Sequence, residues 1–177
     1  DIIVQRPVRQ HADMAALNPN SVNTIRIMTL LEQDSVKIIS ALVRMGAGDM
    51  VVDNYSSGGI ICGIEDGGVL KKYGYSVAGK METHPTSGVI FAGRKIPSYD
   101  KACRMVKKAH PMLPVFRLVS WDVAIREDGE PVLIEANLIN GGIETHQRVN
   151  GPLFGDETKS IVLEALEGTD FPGQRRK

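Results

Sequence analysis

Cysteine is nearly absent from this sequence: Cys62 and Cys103 are the only two. They stand apart, without the paired spacing of a zinc site, and read as free thiols of a reducing, cytoplasmic compartment. Net charge is also missing, because 21 Lys and Arg balance 21 Asp and Glu. That balance excludes the basic footprint of a nucleic-acid binder and an affinity for anionic membrane surfaces. No apolar run approaches the roughly 18–20 residues needed to cross a bilayer, and no signal-peptide pattern is expected. There is no Ser/His/Asp or Cys/His constellation, no internal repeat and no low-complexity tract. Nothing reads as an interdomain linker either, so the 177 residues suffice for one domain with a sizeable core. The chain opens on Asp1 and runs at once into an apolar stretch, which carries the expectation of a piece of a longer protein.

What is present centres on Ser120–Asn137, SWDVAIREDGEPVLIEAN. Two alternating runs flank Asp128-Gly129, a strong short-range hairpin signal. A two-residue turn there sets Glu127 opposite Glu130 and fixes the register. Trp121 then faces Ala136, Val123 faces Ile134 and Ile125 faces Val132, which makes one face apolar. The other face sets Asp122 directly across from Glu135, with Asn137 two residues further on. Opposed carboxylates repel, so a cation between them is the natural reason to keep them. Three hard oxygen donors suit Mg²⁺ or Mn²⁺ rather than zinc. The competing reading is a solvated hairpin face; the registered Asn and the apolar back face favour the metal.

The rest of the chain is rich in strands. Thr24–Leu31 and Val36–Met45 form a second hairpin, which brings Arg26 and Arg44 together away from the turn. Two neighbouring guanidiniums call for an anion, either a phosphate or carboxylate ligand or structural acidic partners. Asp53-Asn54-Tyr55-Ser56-Ser57-Gly58-Gly59 follows a strand; the glycine pair is either a turn or an anion-binding nest of N–H groups. Asp66-Gly67-Gly68 marks another hairpin, with Val69–Val77 returning. Ile2–Val8 reads as a strand that Pro7 pushes towards an edge or strand end, and His11–Asn20 as either a single helical turn or a loop, ending in turn chemistry. His84 reads as a loop histidine. Ser98 opens a helix with a stripe at Ala102, Met105, Val106 and Ala109, stopped at Pro111. Leu138–Asn150 is either a solvent-facing loop or the border of an acceptor pocket. Asp156 is expected to cap a last helix with Ile161, Val162, Ala165 and Leu166 buried, ending at Gly168 before a basic tail. Hairpins with two outer helices make an α+β fold, a mainly antiparallel sheet flanked by helices.

SVNTIRI, LVRMG, VDNYSSGGI, HPTSG and WDVAI, followed by DGEPVLIEAN, resemble in this order the sugar-transfer-associated group of ATP-grasp enzymes. The resemblance implies the C-terminal lobe of that fold, with the N-terminal lobe, its phosphate loop and its lysine lying before Gln5. It also implies ATP and Mg²⁺ (or Mn²⁺) as cofactors, with the metal on Asp122, Glu135 and Asn137. Gln5 and Val8 would line the purine, His11 would reach the ribose, and Asn54, Gly58 and Gly59 would lie beside the phosphates. Arg26 and Arg44 would grip the transferred phosphoryl group or the acyl substrate. The implied partners are ATP, a small-molecule carboxylate and the missing lobe of the same protein, and the implied reaction is carboxylate activation as an acylphosphate captured by an amine or other nucleophile. Surface-polysaccharide assembly is the implied setting, and the piece alone is expected to be inactive. A non-catalytic nucleotide-binding or interaction domain, or a kinase acting on a hydroxyl, are the alternatives. On this reading Arg44→Lys cuts turnover with little change in melting temperature.

Overall fold

A computed structural model describes residues 6–33, 35–139 and 141–167. Seven strands form one antiparallel sheet: β1 (Thr24–Leu31), β2 (Val36–Met45), β3 (Ile60–Glu65), β4 (Val69–Ser76), β5 (Gly79–Met81), β6 (Leu118–Ile125) and β7 (Pro131–Asn137). Their order across the sheet is β5-β4-β3-β2-β1-β6-β7, which places β1 and β6 side by side although residues 32–117 lie between them in sequence. With helices on both faces, this is the expected α+β fold.

The strands alternate, and the alternation sorts the side chains into two environments. Ile25 and Ile27 of β1, Val43 of β2, Cys62 of β3 and Trp121, Val123 and Ile125 of β6 share one core. Onto it pack α1 (Ala12–Ala15), α2 (Tyr99–Ala109) and the loop carrying Phe91 and Ile96. Helix α2 starts at Ser98 and buries Ala102 and Val106, as the apolar spacing predicts. A polar chain crosses this core without an orphan group. The Trp121 indole N–H donates to the Thr29 hydroxyl at 2.7 Å, and Thr29 lies 2.7 Å from His110 Nδ1. His110 Nε2 in turn lies 2.8 Å from Phe116 O, so its proton sits on Nε2 and Nδ1 accepts from Thr29. His84 is buried rather than a plain loop histidine: Nε2 donates to Gly46 O at 2.8 Å, while Nδ1 accepts the Thr86 and Ser87 amides. Cys62 is a free, buried thiol whose burial pushes its pKa up to about 12, well outside the range of a reactive thiolate.

The opposite face carries a smaller cluster of Leu42, Ile61 and Val149, flanked by Tyr55 and Tyr75. Its lid is α3 (Ile143–Asn150), an element absent from the sequence reading. The polar run Glu144–Arg148 hides a helix whose buried residues are His146 and Val149, one turn apart.

The central hairpin differs from expectation at its turn. Gly129 N donates to Arg126 O, and Arg126 N to Glu130 O, both at 2.9 Å, so three residues rather than two make the connection. Gly129 takes the left-handed conformation, φ 78°, which this wider turn requires. The register therefore starts one residue off: Val123 faces Leu133, not Ile134, and Ile125 faces Pro131, not Val132. A β-bulge at Ile134 restores it, so that Asp122 faces Glu135 and Trp121 faces Ala136 as expected. Since β7 is an edge strand, Leu133 and Ile134 stay exposed.

Three further expectations change. Arg6–Val8 has no regular structure, and the remainder of Ile2–Val8 lies outside the described residues. Asp156 sits within a short 3-10 turn, Gly155–Glu157, so it does not cap α4 (Thr158–Glu167). Val162, expected in the buried stripe of α4, is exposed; the side chains of Ala165 and Leu166, and Gly168, lie outside what is described.

Candidate functional site

The register places Thr24, Arg26, Leu42, Arg44 and Asp122 on one face. Arg26 lies directly across from Asp122 on one side and Leu42 on the other, while Arg44 faces Thr24, one pleat along. Arg26 and Asp122 form a bidentate pair, with Nε to Oδ1 at 2.7 Å and Nη2 to Oδ2 at 2.6 Å. Arg44 reaches the same carboxylate from β2, Nη1 to Oδ2 at 2.9 Å. Its other terminal nitrogen meets Asn54 Oδ1 at 2.6 Å and Asp53 Oδ1 at 3.1 Å. Asp53 also accepts from the Thr24 hydroxyl. Asn137 completes the cluster by donating from Nδ2 to Asp122 Oδ2 and to Ser120 O, each at 3.3 Å.

Asp122 is thus the hub. Its carboxylate is 2 % exposed and accepts from two guanidiniums and an amide. Burying a charge of either sign is unfavourable unless it is paired, and here each compensates the other. Burial works against the charge on Arg26. The hydrogen bonds and charge of Asp122, with Asp53 and Glu135 behind them, outweigh that and hold its pKa above the ordinary value.

Above the cluster lies a cavity of about 340 Å³, lined by Arg26, Arg44, Asn54, Glu135, Asn137 and Thr145 among others. Six residues expected at the site therefore converge here, counting Asp122 beneath. Tyr55, Ser56 and Thr145 also line it and were missed, Thr145 because α3 was not recognised. Other expectations separate. Gly58 N donates to Tyr55 O at 3.1 Å and Gly59 N to Asn54 O at 2.9 Å, so these N–H groups close their own loop rather than form an open nest. A Cβ at Gly59 would sit 2.7 Å from the carbonyl oxygens of Asp53 and Asn54. The glycine thus holds Asn54 in place beside Arg44. Val8 and His11 do not line the cavity: the neighbouring Gln10 bridges to Arg126, and His11 caps α1 through Nδ1, 3.1 Å from Asp13 N. Gln5 lies outside the described residues.

The oxygen donors at this face are unequally free to take a divalent cation. Both oxygens of Asp122 are engaged by nitrogen donors, which leaves it an anchor for the arginines rather than an open ligand. Glu135 is exposed, lines the cavity and has no hydrogen-bond partner among the described residues. Asn137 turns its nitrogen to Asp122, leaving Oδ1 open beside Glu135. One carboxylate and one amide oxygen, with the remaining positions left to water and phosphate, fit Mg²⁺. Among the described residues no group of three or more His, Cys, Asp or Glu forms a ready-made metal cage.

His146 packs against this cluster from α3, fully buried, with Nδ1 2.8 Å from the Ser40 hydroxyl and Nε2 unpartnered. Burial, and next the charge of Arg26, lower its pKa to about 3, so it is neutral in the folded protein. In the unfolded chain it titrates near 6.5. The stability it confers is complete above pH about 6.5 and is lost as pH falls towards 3. His84 and His110, lowered chiefly by burial, act in the same sense. The melting temperature is accordingly expected to fall from pH 7 to pH 4, with a shallower slope in His146→Gln.

No curated protein and no solved structure matches the chain. No described helix is long and apolar enough to cross a membrane. SVNTIRI, LVRMG, VDNYSSGGI and the WDVAI–DGEPVLIEAN hairpin supply the arginines, amides and carboxylates of one site, while HPTSG packs elsewhere through His84 on Gly46 O; residues 1–162 match the model of the sugar-transfer associated ATP-grasp family, and the chain belongs to that family.

Proposed function

We propose that this chain forms the phosphate- and metal-binding half of an ATP-dependent ligase that activates a small carboxylate as an acylphosphate for capture by an amine or other nucleophile. The observation that carries it is the convergence of Arg26 and Arg44 with Asn54, Glu135 and Asn137 on one open cavity. ATP-grasp domains generally bind ATP and divalent metals, and an N-terminal lobe of the same protein would complete the nucleotide site. Surface-polysaccharide assembly in the cytoplasm is the setting we favour, from the family's association with sugar transfer.

The two arginines have different tasks. Both terminal nitrogens of Arg44 are held by Asp122, Asn54 and Asp53, so it fixes the floor of the cavity. Arg26 is clamped by Nε and Nη2, while Nη1 makes no hydrogen bond among the described residues and the residue lines the cavity. Its guanidinium is therefore pre-oriented towards charge that develops on a transferring phosphoryl group. Asp122 supplies that orientation at both arginines. Glu135 and Asn137 Oδ1 would hold Mg²⁺ (or Mn²⁺), whose charge, when bound, offsets that of the ATP phosphates.

Assay of ADP release by the full-length protein tests this reading. Release should require Mg²⁺ together with a carboxylate and an amine. Release driven by a hydroxyl compound with no carboxylate present would replace the ligase by a kinase.

A further inference from the structure

A second cavity of about 440 Å³ lies between the start of β6 and the start of α3, lined by Leu118, Ser120, Leu138, Gly141, Gly142, Ile143 and Glu144. Two independent features of it point to a ligand. Ser120 is 1 % exposed and lines this cavity, and its buried hydroxyl has no hydrogen-bond partner among the described residues. A buried hydroxyl left unpaired is unfavourable, and a ligand oxygen is what would satisfy it. The first turn of α3 lines the same cavity without a side-chain cap. Its cap residue is Gly142 at φ 78°, and the N–H groups of Ile143, Glu144 and Thr145 have no acceptor among the described residues. Uncapped N–H groups at a helix start attract a negative group.

The site lies beside the first cavity. A Cβ on Gly142 would come within 3.3 Å of Arg26 Nη1, and one on Gly141 within 2.7 Å of the Ser120 hydroxyl oxygen. Both glycines keep the backbone open where hydroxyl, helix start and guanidinium meet. Arg26 therefore stands between the two cavities. The remaining walls, Leu118, Leu138 and Ile143, are aliphatic, and the Glu144 carboxylate pairs along the helix with Arg148 at 3.8 Å.

We infer that this second cavity binds the carboxylate substrate: the Ser120 hydroxyl and the N–H groups of Ile143 and Glu144 hold the carboxylate, and Leu118, Leu138 and Ile143 hold a short aliphatic body. Naming the ligand as the substrate rests on the ligase reading above; the existence of the site does not. Anchored there, the carboxylate faces Arg26, which also borders the phosphate cavity.

The test uses full-length protein labelled with ¹⁵N-isoleucine and titrated with butanoate, hexanoate and, as neutral control, 1-hexanol. Butanoate and hexanoate should shift the Ile143 amide saturably, hexanol should not, and hexanoate should bind more tightly. Ser120→Ala removes an unsatisfied hydroxyl, so melting temperature should hold or rise. Carboxylate affinity should nevertheless fall about tenfold, the loss expected for one hydrogen bond to a charged group. No Ile143 shift, or equal affinity in wild type and Ser120→Ala, overturns the inference. Mg²⁺-ATP binding is measured on the same samples. If ATP fails to bind while the carboxylate still shifts Ile143, the site stands and the ligase reading falls.

Discussion

Replacing Asp122 by Asn should destabilise the protein by about 3–5 kcal/mol, the usual loss when one partner of a buried ion pair is removed. The reason is specific to this carboxylate. Arg26 and Arg44 have side chains 16 % and 10 % exposed, and Asp122 is the partner they share. Without its charge, two guanidiniums face each other in a poorly solvated site. In a domain of this size that loss lowers the melting temperature by roughly 2–4 °C per kcal/mol. Glu135→Gln is the internal control. It stands opposite Asp122 in the same register but is exposed and makes no hydrogen bond among the described residues. Its replacement relieves like-charge repulsion and should leave stability within about 0.5 kcal/mol. Chemical denaturation of the two variants decides it. Equal, small effects would show that Asp122 does not anchor the arginines.

The second large effect separates the two arginines. Arg26→Lys should reduce turnover of the full-length enzyme by about 100-fold or more, the usual scale for a lost donor to developing charge, with a smaller change in stability. Lysine keeps a charge but cannot both clamp Asp122 through two nitrogens and present a third. Arg44→Lys should do the reverse, lowering stability strongly while turnover per folded molecule falls less. This departs from what the sequence suggests for Arg44, because its nitrogens are committed to Asp122, Asn54 and Asp53. Parallel melting curves and steady-state kinetics make the comparison. Similar turnover losses in both variants would mean that the arginines act as one unit.

How far the chain could be read in advance follows from where its information lies. β1 and β2 are legible to the residue, since β-branched runs end at a polar turn. The pairing of Asp122 with Glu135 was obtained through two offsetting departures, a wider turn and a bulge at Ile134. Neither departure is visible in the Asp-Gly signal, because the three-residue connection uses the same glycine. The convergence of both arginines on Asp122 depends on β1 pairing with β6, a long-range contact that no local pattern specifies. Gly58 and Gly59 show the limit of motif reading: a glycine pair permits a nest and a closed loop equally, and the carbonyls of Asp53, Asn54 and Tyr55 decide for the loop. Helix α3 was hidden because its buried face pairs Val149 with a histidine, so no apolar stripe marks it.

The most direct test of the account is the Mg²⁺ dependence of ATP affinity, measured by calorimetric titration of the full-length protein as wild type and as Glu135→Gln. If Glu135 and the open oxygen of Asn137 hold the cation between this face and the phosphates, removing Mg²⁺ weakens ATP binding to the wild type. The Glu135→Gln protein, equally stable, then binds Mg²⁺-ATP about tenfold or more weakly and loses most of the metal dependence. ATP affinity that is the same in both proteins, with and without Mg²⁺, would contradict the assignment of this cavity as the phosphate and metal site.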